Sequence, residues 1–136
     1  MKKLTLIFTL LSGLAFAQKL EVVTNNEKIG EIAFAHTLKT ADNIYALCFQ
    51  NNEYKTIIDY KCVALGEKNG FDSIYQTLSA NFEKEQPEDF NLNLNGQKLS
   101  FVFSKKNMMI FLTEESGIRS SSVLINKKNL ARLFGK

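Results

Sequence analysis

A single histidine, His36, stands in 136 residues. That excludes every site needing two imidazoles, the His-Glu-x-x-His zinc motif included. Tryptophan is absent, which makes the chain a poor sugar platform. There are two cysteines, Cys48 and Cys62, and no Cys-x-x-Cys, so neither a zinc ribbon nor a thioredoxin-type redox motif is present. The glycines beyond residue 17 stand singly, at Gly30, Gly66, Gly70, Gly96, Gly117 and Gly135, and none forms a phosphate-cradling loop or a Gly-x-Ser-x-Gly nucleophile elbow. No segment reaches the 18 or so consecutive apolar residues that a membrane-spanning helix requires.

What is present begins with a leader pattern. Lys2 and Lys3 precede an apolar run from Leu4 to Leu14, and Ala15-Phe16-Ala17 supplies the small-x-small pattern of a signal peptidase site. Residues 1–17 are read as a cleavable signal peptide, with residues 18–136 as a single domain that is secreted or periplasmic after cleavage near Ala17/Gln18. Its shortness suits a bacterial exported protein. Removing Lys2 and Lys3 from 17 basic residues leaves 15 against 14 acidic ones, a net charge of +1. So small an excess argues against nucleic acid as a partner, because phosphate neutralisation demands a clear basic surplus.

Period-2 alternation dominates the first half. Residues 29–38 read as one strand, with Ile32, Phe34, His36 and Leu38 on a face. Ile44 to Gln50 and Tyr54 to Leu65 read as a hairpin turning at Asn51-Asn52, with Phe49 beside Tyr54. That register leaves Cys62 roughly 20 Å from Cys48, at about 3.3 Å per residue, so two free buried thiols are expected. The period then changes: Phe71, Ile74, Tyr75, Leu78 and Phe82 predict a helix, with Asn69 or Asp72 as cap and Pro87 as stop.

The strongest local signal is Phe90-Asn91-Leu92-Asn93-Leu94-Asn95-Gly96, alternation running into the dipeptide preferred in type I′ hairpins. It pairs Leu92 with Leu99 and Phe90 with Phe101. A turn at Lys105-Lys106 pairs Phe103 with Met108, Phe101 with Ile110 and Leu99 with Leu112, leaving the same apolar set on one face. Residues 118–125 read as a last strand, and Asn126 caps a short helix carrying Leu130, Leu133 and Phe134. The fold class expected is α+β: an antiparallel sheet of about 7–8 strands in ββββα-ββββα order, with one long helix and one short C-terminal helix packed on it.

Few residues invite chemistry. His36 could pair with Cys48 or Cys62 to activate a thiolate, but neither cysteine sits in a nucleophile context. Glu83, Glu85, Glu88 and Asp89 lack EF-hand spacing, and Lys127, Lys128, Arg132 and Lys136 give the last helix a basic face. No cofactor or metal is expected, nor a catalytic site. The reading reached is an exported non-catalytic binding module for an unidentified protein or a small apolar ligand, with Phe49 and Tyr54 as partner contacts, or Met108, Met109 and Phe111 lining a pocket. A small secreted hydrolase and a self-associating envelope subunit are the alternatives.

Overall fold

The computed structural model describes residues 26–52 and 59–136. The leader, the alternation over residues 19–24 and Tyr54 lie outside the described residues. The order is β1 (Glu27–Ile32), β2 (Ala35–Lys39), β3 (Tyr45–Gln50), β4 (Tyr60–Gly66) and α1 (Lys68–Phe82), then β5 (Phe90–Leu94), β6 (Gln97–Phe103), β7 (Asn107–Thr113), β8 (Arg119–Ser121), β9 (Ile125–Asn126) and α2 (Lys127–Leu133). The fold is α+β, but with two antiparallel sheets rather than one. Strands β1 to β4 form a four-stranded meander. Strands β5 to β8 form a second, and β9 also pairs with β7. No helix among the described residues is long and apolar enough to cross a membrane.

Across β5, β6 and β7 the second sheet follows the expected register: Phe90 faces Phe101, Leu92 faces Leu99, Phe101 faces Ile110 and Phe103 faces Met108. Asn95 and Gly96 both take positive φ, the type I′ geometry their sequence favours. The expected last strand is broken. Strand β8 pairs Ser121 with Phe111 and β9 pairs Ile125 with Met108, so the partner residue numbers sum to 232 and then 233, one extra residue between them. The bulge is held by Ser122, whose hydroxyl accepts from the N–H of Ile110 at 2.9 Å where a ladder carbonyl is missing.

The first sheet departs from expectation twice. Residues 29–38 are not one strand, since the chain reverses at Ala33-Phe34 and Ile32 pairs with Ala35. The turn lacks glycine and asparagine, so nothing in its composition announces it. Nor does β3 turn at Asn51-Asn52. Strand β4 starts only at Tyr60, and Cys48 faces Cys62, Phe49 faces Lys61 and Leu47 faces Val63. This register has the opposite parity to the expected one, so Tyr60 moves to the outer face and Val63 and Leu65 take the inner one. The cysteines are consequently joined, with S–S 2.04 Å and Cα atoms 4.0 Å apart, rather than free.

Both helices pack with the inner faces of the two sheets in one apolar cluster that includes Leu47, Phe49, Phe71, Leu78, Phe101, Ile110 and Leu130. Helix α1 carries no side-chain cap. Its preceding residue is Glu67, and Asp72 instead bonds Lys68 one turn back, while Asn69 lies inside the helix. Helix α2 is capped as its sequence predicts, the Asn126 side chain accepting from the Asn129 N–H at 2.8 Å.

Candidate functional site

Three surfaces carry the residues singled out by sequence, and the first lies where the two sheets meet. The N–H of Asn52 donates to the Ser121 carbonyl at 2.6 Å, and the N–H of Ser121 donates to the Asn51 side chain at 3.1 Å. Asn51 is buried, so its turn-forming side chain is occupied in joining the end of β3 to β8. Beside this junction a small depression of about 60 Å³ is lined by Phe34, Gln50, Asn52 and Val123. Phe34 is 52% exposed and holds φ at +68°, left-handed backbone in which a bulky L residue is strained. The Gln50 N–H donates to the Phe34 carbonyl at 2.8 Å and ties the turn to β3. Leu124, next to Val123, is 57% exposed.

The second surface is the outer face of the first sheet. His36 faces Cys48 across β2 and β3, Cys48 faces Cys62 across β3 and β4, and the three lie in a row. Cys48 is buried and Cys62 exposed. His36 is half-buried with its ring 5.7 Å from that of Tyr60. Partial burial, aided by the positive charge of Lys28 and opposed by Glu31, holds the imidazole below its ordinary value. His36 thus lies beside Cys48, but that sulfur is bonded to Cys62 and carries no thiolate, so the arrangement is not an activated Cys-His pair.

The third surface is the strand β7. Its even residues Met108, Ile110 and Leu112 are buried in the core, while Met109 and Phe111 point the other way. The three candidate pocket residues therefore do not share a lining. Phe111 borders an open depression of about 300 Å³ with Asp89 and Lys98 at its rim, and the Arg119 guanidinium lies 4.0 Å over its ring. Among the described residues that outer face is covered by the Arg119 side chain and not by another layer, although Met108 to Leu112 is apolar on both faces. Phe49 is fully buried between Ala35 and Lys61, inside the core rather than at a hairpin tip.

The charged clusters resolve into pairs. Lys127 bonds Glu83 and Lys136 bonds Asp72 at 3.2 Å, so acids of α1 and its C-terminal end offset two of the four bases on the last helix. Among the described residues no three His, Cys, Asp or Glu side chains are grouped to hold a metal. No family model, curated protein or solved structure matches this chain. The residues that sequence reasoning missed are Phe34, Val123 and Leu124. Phe34 could have been found only by recognising the unannounced turn at Ala33.

Proposed function

We propose that the chain is an exported, non-catalytic module that binds another protein through the surface around Phe34. One observation carries this reading: an aromatic ring half in water, on strained backbone, at the junction of the two sheets. Left-handed backbone costs an ordinary L residue about 1–2 kcal/mol, a strain that glycine escapes and asparagine feels least. Strain of this kind clusters at contact and ligand sites because it fixes a side chain before the partner arrives. The Asn51 and Asn52 bonds to Ser121 tie the two sheets together beside the ring, and exposed Leu124 extends the apolar surface. A protein partner is favoured over a small apolar ligand because Met108 packs in the core and the depression beside Phe34 is too small to enclose a lipid chain. Export is supported by the leader pattern and by the disulfide, which persists in oxidising compartments.

The test is Phe34→Asn, with Ile118→Asn as an exposed apolar control elsewhere on the surface. Phe34→Asn should raise the melting temperature and abolish capture of a partner from the envelope fraction, while Ile118→Asn captures it normally. A Phe34→Asn protein that melts lower, or captures the same partner as wild type, overturns the reading.

A further inference from the structure

We infer that the free edge of β5 pairs with the β5 of a second copy of this chain, in antiparallel register centred on Leu92. The inference is independent of the Phe34 surface. With Asn95-Gly96 as a two-residue loop, Leu94 and Gln97 form the closing pair and exchange both backbone hydrogen bonds. Leu92–Leu99 and Phe90–Phe101 follow in the same phase. The N–H and C=O groups of Asn91 and Asn93 therefore point away from β6, at an edge that no strand covers among the described residues.

Protein edges are ordinarily blunted by charge, proline, a bulge or shortness. Strand β1 has a bulge between Lys28 and Gly30. Strand β4 carries inward-facing Lys61 opposite Phe49, and the β8–β9 edge is short and broken at Ser122. Strand β5, Phe-Asn-Leu-Asn-Leu, has no charge, proline or bulge.

Its pattern is also self-complementary. Antiparallel pairing of two copies about Leu92 sets Leu92 against Leu92, Phe90 against Leu94 and Asn91 against Asn93, with no charge facing a charge. Asn91 and Asn93 fall on the hydrogen-bonded pairs, so the outward groups of one copy meet those of the other. The contact is isologous, and closes as a dimer rather than growing into a fibre. Phe90, Leu92 and Leu94 are only partly buried against their own core, and a partner would cover what remains. Beside Phe90 an open groove of about 420 Å³ runs along Thr77 and Ala80 of α1. In this register Leu94 of the second copy arrives at that place. So short a strand buries less than a standard interface, which places the contact among weak, reversible associations.

Sedimentation equilibrium of the purified mature protein tests it, alongside Asn93→Pro, which removes an outward donor without touching the β5–β6 ladder, and Asn91→Lys/Asn93→Lys. Wild type should dimerise, and both variants should be monomers with the wild-type thermal transition. Oxidation of Leu92→Cys should give a covalent dimer, because directly opposed residues meet closely, whereas Asn93→Cys should not. A wild-type protein that is monomeric at millimolar concentration, a dimer that survives both edge variants, or crosslinking through residue 93 in preference to residue 92 overturns the inference.

Discussion

The hydroxyl of Thr37 donates a 2.6 Å hydrogen bond to the carbonyl of Leu133, 96 residues further along the chain. Thr37 faces inward from β2 and is fully buried, and Leu133 is the last residue of α2. The final carbonyls of a helix have no partner within it, so the first sheet supplies one. Close approach is possible because Gly30 lies beneath the helix end. A Cβ there would come within 2.3 Å of the Leu133 carbonyl oxygen and 2.4 Å of that of Arg132.

Gly30→Ala should therefore be among the most destabilising single methyl additions available, because its clash is with helix-end backbone, which cannot swing aside as a flexible side chain can. Overpacking of this kind costs about 3 kcal/mol at its upper range. Thr37→Val keeps the shape and removes the donor, leaving a buried carbonyl unpaired at a cost of about 1–2 kcal/mol, whereas Thr37→Ser should lose much less. Urea denaturation of the three variants checks the order. Gly30→Ala at wild-type stability would mean that α2 does not seat on β1.

The disulfide predicts a second loss. Cys48 and Cys62 are 14 residues apart, and closing a loop of that size restricts the unfolded chain by about 3 kcal/mol. Exposure of Cys62 gives a reductant access to the bond. Adding dithiothreitol, or replacing both cysteines by alanine, should lower stability by that amount while leaving far-UV circular dichroism unchanged, since the β3–β4 ladder and the core face at Leu47 and Phe49 do not depend on the sulfurs. Equal denaturation midpoints with and without reductant would show that the bond contributes nothing.

How much of this was legible depended on whether turn chemistry and register agreed. Asn95-Gly96 has the residues its turn requires, and with the turn at Lys105-Lys106 it paired β5, β6 and β7 correctly. Ala33-Phe34 turns without such residues, so the hairpin around it read as one strand, and its exposed ring read as part of a strand face. Asn51-Asn52 is the converse case. Its residues favour a turn, but Asn51 is used to bind Ser121 in the other sheet, a tertiary role that local pattern cannot express. That one misplaced turn inverted the parity of β4, hid the disulfide and sent Phe49 to the surface. The break between β8 and β9 was invisible for a similar reason, since a serine hydroxyl standing in for a carbonyl leaves no mark on hydropathy.

His36 makes stability depend on pH. Its folded value lies below the ordinary histidine value near 6.5, chiefly through burial and then through Lys28, so the folded protein resists protonation. The unfolded chain binds the proton first, and stability rises with pH wherever it does so. The contribution is fully present above the unfolded value, declines as pH falls below about 6.5, and stops declining once the folded value is passed. An NMR titration of the single imidazole should give a midpoint below that of an unfolded peptide, and Lys28→Gln should raise it. A midpoint at or above the peptide's would contradict the burial of the ring beside Tyr60.

Adjacent serines should respond to alanine with opposite sign. Ser122 is buried, and its hydroxyl accepts from Ile110 N–H at 2.9 Å while donating to the Val123 carbonyl at 2.8 Å. Ser122→Ala strands a core amide on the central strand β7, and about 1–3 kcal/mol is lost when a buried donor is left unpaired. Ser120 is equally buried, facing Leu112 across the ladder, but its hydroxyl has no partner among the described residues. There alanine removes a desolvated polar group without orphaning another, and should be neutral or stabilising. Chemical denaturation of the two variants reads both signs directly, and hydrogen exchange at Ile110 distinguishes local loss of the bulge from global weakening. Equal effects of the two substitutions would mean that the bulge is not held through the Ser122 hydroxyl.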